Sequence, residues 1–432
     1  MSREQLIQAV LDATPREAPK SAKAAGLTMV VLGLVGLGLA ATSMKGTLVV
    51  ALYVSTVLML GLGVFGAVLS AIFQLTGARW GRSYRRLAEA GVVFMPLGVL
   101  LLLVVLATAG RYLPWAHAHH LTGGKHVWLT RPFWDLRVLA FVVVANALGL
   151  RFVYLSLRRD FCVAGVGERF KGKLAAFLSR DIRDPAAETA RCEAGLTFLA
   201  PIMALAYAFC FTFLAFDLIM ALEYDWFSTL FGAWYFIGHL FSGVALLAIV
   251  SILLRERLPL APFMTDLRQR DLATLLFAFV LVNTDFFWSQ YLTIWYGNLP
   301  EETHYLINRT REGSPYAPFS NLALYCFFAI PFAALLFRKV KQSGALLPAV
   351  AAVVALGVFL ARFLEIAPPL LHLEPDAGAG AVAMPLAATL LVYIGCLGAG
   401  YLFLQRFLTQ APILPIGDEI FIREHSHGKE HA

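Results

Sequence analysis

The chain contains few charged residues. Asp, Glu, Lys and Arg make up only 15% of its 432 residues, whereas 59% are hydrophobic. Soluble domains usually carry about 25% charged residues, so this chain has too little polar surface to enclose a water-soluble core. The shortage of charge excludes a soluble globular protein and indicates an integral membrane protein whose apolar surface faces lipid.

The sequence also lacks the cysteine and histidine patterns that hold redox groups. Its 5 cysteines are scattered, with no C-x-x-C and no C-x-x-C-H, which argues against attached haem, an iron–sulfur cluster or a zinc site. His239 is the only histidine deep within a predicted span, and a bis-histidine haem b needs two. We therefore expect this chain to bind no metal and no redox cofactor of its own. Two histidine-rich segments lack carboxylate or cysteine companions and are interpreted as surface residues: His117, His119, His120 and His126, and His425, His427 and His431.

Long apolar runs account for most of the chain. Runs of about 20 residues suit a helix that crosses the hydrocarbon core, and they predict an all-α integral membrane fold with ten transmembrane helices. The predicted spans are 24–43, 48–73, 90–109, 134–157, 194–216, 228–253, 271–294, 320–337, 345–364 and 385–404. The domain organisation follows from these spans: an N-terminal segment 1–23, a membrane domain 24–404 and a C-terminal tail 405–432. A basic loop, 158–193, separates spans 1–4 (24–157) from spans 5–10 (194–404).

The distribution of Lys and Arg predicts the orientation. The two tails and the even-numbered loops hold 26 of these residues, and the odd-numbered loops hold 6. By the positive-inside rule the basic side is cytoplasmic, so both termini are predicted to lie in the cytoplasm. The net charge of +7 then reflects this topology and contact with anionic lipids rather than nucleic-acid binding.

A short repeat suggests how the spans are grouped. The third and seventh loops each end in Pro-Phe, at Pro132-Phe133 and Pro318-Phe319. A four-helix offset preserves orientation, as in parallel repeats of membrane proteins. We therefore expect two four-helix bundles, spans 2–5 and spans 6–9, with spans 1 and 10 peripheral.

Ionisable and polar groups inside spans are costly and often functional. In span 6, Tyr235, His239 and Ser242 recur at i, i+4 and i+7 and share one helix face. This stripe fits a quinone headgroup or a proton path. It equally fits a buried histidine bonded to neighbouring helices.

Span 7 carries a second polar set. Asp285 and Ser289 share one face, and Asn283 and Gln290 share roughly the opposite face. We interpret this pattern as a central helix with protein on both sides. Asp285 lies about 20 Å from the predicted start of the span, and a carboxylate at that depth can exchange protons, or it can belong to a structural hydrogen-bond network.

Three further charges lie toward the predicted outer side. Arg362 and Glu365 are three residues apart in span 9 and can pair on one face, either as an interfacial ion pair or in a substrate role. Asp217 begins an acidic loop without basic residues, which fits the outer mouth of a proton path, a docking surface for a positive partner, or a loop that is acidic for solubility.

One segment resembles a known family. From Asp285 to Gly313 the chain reads DFFWSQYLTIWYGNLPEETHYLINRTREG, and its S-Q-Y-L-x-I-W-x-x-N-L-P-E-E run resembles a membrane subunit of quinol:cytochrome c oxidoreductase, or alternative complex III. The resemblance is to the second quinone-binding-type subunit, in the NrfD-like (polysulfide-reductase membrane-subunit) superfamily. The stretch Glu223–Gly243 resembles the start of that family's sixth helix, and Arg362 with Glu365 resembles its ninth-helix polar pair. A G-G-W-like turn of the family is replaced here by Gly313-Ser314-Pro315-Tyr316.

The resemblance implies a division of labour within a respiratory complex of the bacterial inner membrane. This chain would bind no redox cofactor and would pack beside a paralogous quinol-binding membrane subunit. An iron–sulfur subunit and multihaem cytochrome c subunits would carry the clusters and haems. The chain itself would support quinol oxidation and contribute a proton path.

Three functional hypotheses result. The leading one is a proton-conducting subunit of a quinol-oxidising complex, with eight candidate residues: Asp285, His239, Asp217, Arg362, Glu365, Tyr235, Ser289 and Gln290. The alternative is that this chain itself binds and oxidises quinol. A secondary transporter is disfavoured because no spans have Gly/Pro-interrupted centres at matching positions of the two halves.

Overall fold

A computed structural model describes residues 1–118, 123–170, 172–374 and 377–426, and within these ranges the protein is entirely helical. It contains 10 helices long and apolar enough to cross a membrane, which confirms the predicted fold class and span number. The spans are Lys20–Thr42, Thr47–Thr76, Arg82–His117, Arg131–Phe161, Pro185–Glu223, Phe231–Arg257, Asp266–Gly297, Ala317–Leu335, Leu346–Leu371 and Gly380–Leu408, numbered 1 to 10 in this order.

Most spans begin or end several residues beyond their predicted bounds. Charged residues that hydropathy assigns to loops continue the helices, most clearly at the start of span 3. Seven short helices connect or flank the spans: Arg3–Ala13, Gly124–Trp128, Val166–Arg169, Lys173–Ser179, Pro300–Thr310, Arg338–Gln342 and Glu419–Ser426.

The spans pack in the predicted groups. Span 2 contacts spans 3, 4 and 5, and span 6 contacts spans 7 and 9, while span 8 packs on span 9. Spans 2 and 6 are the most buried helices, and both also contact helices of the other bundle. The interior of the protein is therefore formed where spans 2, 5, 6 and 9 meet.

Spans 1 and 10 lie at the periphery and pack along each other. Gly33 and Gly395 are opposed so closely that a Cβ built on either would lie 2.5 Å from the Cα of the other. Small residues allow such close contact between helix backbones in membranes. The glycine and alanine content of these two spans therefore determines how tightly they pair.

Met1 and Ser426, the first and last described residues, lie at one end of the bundle, here called the terminal end; the opposite end is called the far end. Arg3 forms an ion pair with Glu419 at 2.9 Å, and the Met1 amino group lies 3.3 Å from the Ser426 carbonyl oxygen. The C-terminal tail is packed against the spans, since Ile413, Leu414 and Ile416 are fully buried.

Candidate functional site

Four buried polar side chains meet where span 6 faces span 9. Arg362 and Glu365 form an ion pair with Nη1 and Oε2 2.8 Å apart. The Arg362 guanidinium lies 5.1 Å from the centre of the Tyr235 ring, which in turn lies 4.4 Å from the His239 ring. All four side chains have 3% exposure or less. We call Tyr235, His239, Arg362 and Glu365 the Arg362 cluster.

Glycines let the helices approach this cluster. A Cβ on Gly61 of span 2 would lie 2.1 Å from His239 Nδ1, so any larger residue at position 61 would displace the imidazole. A Cβ on Gly238 would lie 3.4 Å from Arg362 Nη2. Span 2 thus packs directly against the histidine, and spans 6 and 9 lie close to each other at the arginine.

Several atoms of the Arg362 cluster lack hydrogen-bond partners among the described residues. They are the Tyr235 hydroxyl, His239 Nε2, Arg362 Nε and Nη1, and both carboxylate oxygens of Glu365. The ion pair between Arg362 Nη1 and Glu365 Oε2 is close but does not have hydrogen-bond geometry. Buried polar atoms are hydrogen-bonded in the great majority of cases. The cluster therefore combines a carboxylate, an imidazole and a phenol that retain their capacity to donate or accept protons.

Arg309 connects the cluster to the far end. It lies in the helix Pro300–Thr310, donates from Nε to the Leu364 carbonyl at 2.8 Å, and forms an ion pair with Glu223. Its guanidinium stacks over Tyr305 at 3.7 Å. Burial raises the pKa of Tyr305 well above its ordinary value, against the lowering effect of Arg309, so this phenol stays protonated. His304, partly exposed, lies 3.5 Å from Glu223 and brings the polar line to the surface.

A cavity of about 920 Å³ adjoins Glu365 between spans 7, 8 and 9. Aromatic rings form much of its wall, including Trp234, Phe287 and Trp288, and Glu365 and Arg309 provide charged groups. A π-helical turn at Tyr325–Ala329 interrupts span 8 beside it, and such turns are frequent at functional sites. The cavity can hold an amphiphile with a polar ring and an apolar tail.

A second buried charge cluster lies at the terminal end, where spans 2 to 5 meet the C-terminal tail. Its members have 3% exposure or less and are Arg82, Arg85, Arg86, Glu89, Arg159, Asp160 and Asp418. We call this set the arginine network. Asp418 accepts hydrogen bonds from Arg82, Arg85 and Arg159 at 2.8, 2.9 and 3.1 Å.

The inner part of the arginine network lies deeper in span 3. Glu89 accepts from Arg85 at 2.9 Å, from Ser156 at 2.9 Å and from Arg86. Arg86 also pairs with Asp160. Burial alone would raise the pKa of Asp418, but the guanidinium groups of Arg159, Arg85 and Arg82 hold it well below its ordinary value. Asp418 therefore stays ionised.

Sequence reasoning missed the arginine network. Counting Lys and Arg by loop placed Arg82, Arg85 and Arg86 outside the membrane helices, whereas they form the first turns of span 3. Their spacing offered a signal, because Arg82, Arg86 and Glu89 at i, i+4 and i+7 share one helix face. Asp418 had no such signal, since its position depends on how the tail folds back.

Among the predicted site residues, Asp217 lies apart from the Arg362 cluster. Its carboxylate forms a two-pronged ion pair with Arg137, at 2.8 and 2.6 Å, and accepts from Trp128 Nε1 at 3.1 Å. The indole of Trp128 also covers the Arg137 guanidinium at 3.7 Å. Asp217 is thus fully engaged in joining spans 4 and 5.

The residues predicted in span 7 divide between two faces. Gln290 is buried and accepts from Ser228 at 3.1 Å, whereas Asp285 is exposed and Ser289 is half-buried. Within this chain span 7 is not a central helix, because only the face with Asn283 and Gln290 is buried. The prediction is wrong in that the other described helices of this chain do not cover both faces. The positions of Asn283 and Gln290 identified the buried face correctly, and Asp285 lies on the exposed surface of the helix bundle.

No group of three or more His, Cys, Asp or Glu side chains within the described ranges is arranged to hold a metal ion. Of the predicted surface histidines, His119, His120, His427 and His431 lie outside the described residues. Comparison with known proteins identifies no family, since no family model matches the chain and no curated protein matches it significantly.

Proposed function

We propose that this chain is a membrane subunit of a respiratory quinol-oxidising complex of the alternative complex III type, in which it provides a path for protons and holds no redox centre. The observation that carries the proposal is the Arg362 cluster, a buried set of proton-exchanging groups with free hydrogen-bonding capacity. The resemblance of the segment Asp285–Gly313 and of the pair Arg362 and Glu365 supplies the type of complex.

The polar groups are spaced through the thickness of the bundle. At the terminal end the arginine network reaches Glu89, whose backbone packs on Gly66 of span 2. His239 packs on Gly61 of the same helix, and five residues separate these two levels by about 8 Å. From His239 the line continues through Tyr235 and Glu365 to Arg309 and Glu223 at the far end. A short chain of water molecules would carry protons from the terminal end, past the level of Glu89, to His239, while the arginine network itself stays structural.

The proposed setting is the bacterial inner membrane. The terminal end, which holds most Lys and Arg residues, faces the cytoplasm by the positive-inside rule. Quinol oxidised near the far end would release protons on the outer side. Electrons would pass to iron–sulfur clusters and haem c in partner subunits, beside a paralogous quinol-binding subunit. Purification of the chain from its own membranes tests this setting, because a chain purified without iron–sulfur and multihaem subunits would contradict it.

The test of the proton path is Glu365→Gln in the assembled complex. This change keeps the side-chain volume but removes the ionisable group. We therefore expect the rate of quinol oxidation, and of the proton release coupled to it, to fall at least about tenfold, since a positioned proton-transfer group contributes about 10²–10⁴-fold. The matched control is Asp225→Asn, which neutralises an exposed far-end carboxylate. Unchanged oxidation and unchanged proton release in assembled Glu365→Gln complex would refute the role.

The cavity beside Glu365 favours a second candidate function, quinol binding by this chain itself. Its aromatic wall suits a quinol ring, and Glu365 lines the cavity. Rotation of this side chain would bring its buried carboxylate to a ring hydroxyl, from which it can accept a hydrogen bond. Photolabelling of the complex with an azidoquinone should then modify peptides of spans 7 to 9, and Ala323→Trp, which adds an indole to the cavity wall, should reduce the label. Label confined to a neighbouring subunit would exclude this candidate.

A further inference from the structure

Asp285 differs from the other carboxylates deep within the spans. Glu89, Asp160, Asp217 and Glu365 are buried, and each has an arginine partner. Asp285 is exposed on the surface of span 7 and has no hydrogen bond or ion pair within the described part of the chain. An ionised side chain facing hydrocarbon is costly, and such residues normally face protein or a water-filled cavity.

The position of Asp285 along span 7 places it below the membrane interface. It is nineteen residues from Asp266 and twelve from Gly297, about 28 and 18 Å from the two helix ends. Exposed aromatic side chains lie between it and the far end: Trp288, Trp295 and Tyr296, at 55%, 62% and 84% exposure. Trp and Tyr form belts at membrane interfaces, so the short carboxylate of Asp285 lies on the hydrocarbon side of this belt.

The exposed residues of span 7 form one continuous stripe. Leu281, Asp285, Trp288, Leu292 and Trp295 are all exposed, and they are spaced by four, three, four and three residues. This spacing keeps all five side chains on one helix face, as in the seam between two packed helices. The stripe therefore has the pattern of a helix–helix contact with a charge near its centre.

A second copy of the chain does not supply the missing cation. Among the exposed Lys and Arg side chains in the described ranges, Arg151 of span 4 lies farthest from the ends of its span. Arg159 and Arg268 mark one common level, since Arg159 shares Asp418 with Arg82 and Arg268 bonds the adjacent Ser83. From that level Arg151 lies eight residues deep, about 12 Å, and Asp285 seventeen residues deep, about 26 Å. Copies with the same orientation cannot bring the two together.

We propose that the stripe centred on Asp285 is an interface with a membrane-spanning helix of a different polypeptide, which presents a lysine or arginine to the Asp285 carboxylate. Complementary charge inside the membrane fixes the depth and orientation of that helix, and the apolar and aromatic residues of the stripe supply the packing. This interface is independent of the proposed proton path, which runs through spans 6 and 9.

The experiment is site-specific photocrosslinking of the full chain in its native membrane. A benzophenone amino acid replaces Trp288 on the stripe or, as the matched control, Leu205, which is 73% exposed on span 5. We expect a protein adduct at position 288 that peptide mapping assigns to one membrane-spanning helix with a lysine or arginine within one turn of the crosslinked residue.

Charge substitutions then test the pairing. Asp285→Lys should reduce the adduct at least about tenfold, which corresponds to about 1.4 kcal/mol, whereas Asp285→Asn should reduce it less. Replacing the mapped basic residue with Glu should restore the adduct of Asp285→Lys. A second test replaces the Asp285→Lys variant if it fails to accumulate: the mapped basic residue of the partner is changed to Glu while Asp285 is kept. That change must then reduce the adduct.

Four results would overturn the proposal. They are adducts with lipid only, an adduct between two copies of this chain, a mapped helix with no basic residue near the crosslink, and an adduct that persists unchanged in Asp285→Lys. Loss of the adduct in Asp285→Lys together with its recovery by charge reversal would establish the interface.

Discussion

The arginine network and the Arg362 cluster are both buried groups of charged residues, but they differ in the hydrogen bonding of their proton-exchanging atoms. In the arginine network, the carboxylates of Glu89, Asp160 and Asp418 all accept hydrogen bonds. In the Arg362 cluster, neither oxygen of Glu365 accepts one, and Tyr235 and His239 each retain an unpartnered polar atom. The only atoms of the arginine network without hydrogen-bond partners among the described residues are guanidinium nitrogens. These cannot transfer protons, because arginine does not exchange its proton in proteins.

The difference separates structural from functional charge. A carboxylate held by several guanidinium groups is fixed in its ionised form and position, so it orders the helices around it. A carboxylate and an imidazole with free hydrogen-bonding capacity can change protonation without breaking a network. We therefore assign the arginine network to assembly of the terminal end and the Arg362 cluster to proton transfer.

The largest expected effect is the loss of stability when the arginine network is broken. Arg86→Ala removes the cation shared by Glu89 and Asp160, and removal of one partner from a buried ion pair typically costs about 3–5 kcal/mol. The matched control is Arg79→Ala, which removes an exposed arginine. Thermal unfolding of the detergent-solubilised chain measures both variants, and similar unfolding temperatures would show that the network is not structural.

The ion pair between Arg137 and Asp217 extends the comparison to the far end. Arg137→Met leaves the Asp217 carboxylate buried without its cation, and we expect a loss of about 3 kcal/mol. The double variant Arg137→Met/Asp217→Leu should recover most of that loss, because two apolar groups replace the pair. Assembled complex with the double variant should retain its rate of quinol oxidation. A tenfold lower rate would return Asp217 to the proton path.

Hydropathy was sufficient to predict the fold class and the number of spans. Ten apolar runs predicted ten spans because a helix in lipid must satisfy its backbone hydrogen bonds internally and match the thickness of the bilayer. The ends were less predictable. The helix of span 3 continues through Arg82, Arg85 and Arg86, whose charges are neutralised by residues distant in sequence, such as Asp160 and Asp418.

The site was predictable as a set of residue types but not as an arrangement. The spacing of Tyr235 and His239 indicated a shared face, and that of Arg362 and Glu365 indicated a pair; the structure brings these four together. Their meeting depends on the contact between spans 6 and 9 and on Gly61 of span 2, which no local pattern reports. The same limit explains Asp285, because sequence periodicity identifies a polar face but not the neighbour that the face contacts.

The contribution of Asp418 to the free energy of unfolding should depend on pH. The folded-state pKa of Asp418 lies below the ordinary value of 3.8, so its contribution to stability is complete above that pH and is lost as the pH falls toward the folded pKa. The stability advantage over Asp418→Asn should shrink by up to about 1.4 kcal/mol per pH unit below about pH 4. Hydrogen exchange of the helix Glu419–Ser426 measures this loss, and Glu419→Gln, which removes an exposed partner of Arg3, is the control. An advantage that is constant from pH 7 to pH 3 would contradict the pairing.

Removal of the hydroxyl group from Tyr207 or Tyr235 has the smallest expected effect on stability, and it separates a structural hydroxyl from a functional one. The Tyr207 hydroxyl donates to the Phe236 carbonyl at 2.7 Å, whereas the Tyr235 hydroxyl has no partner among the described residues. Tyr207→Phe should therefore cost about 1 kcal/mol, the usual net value of a hydrogen bond, and leave the turnover of assembled complex unchanged. Tyr235→Phe should leave the unfolding temperature unchanged and lower the turnover. Reversed outcomes, with Tyr235→Phe destabilising and fully active, would place the Tyr235 hydroxyl among the structural groups and limit the proton path to His239 and Glu365.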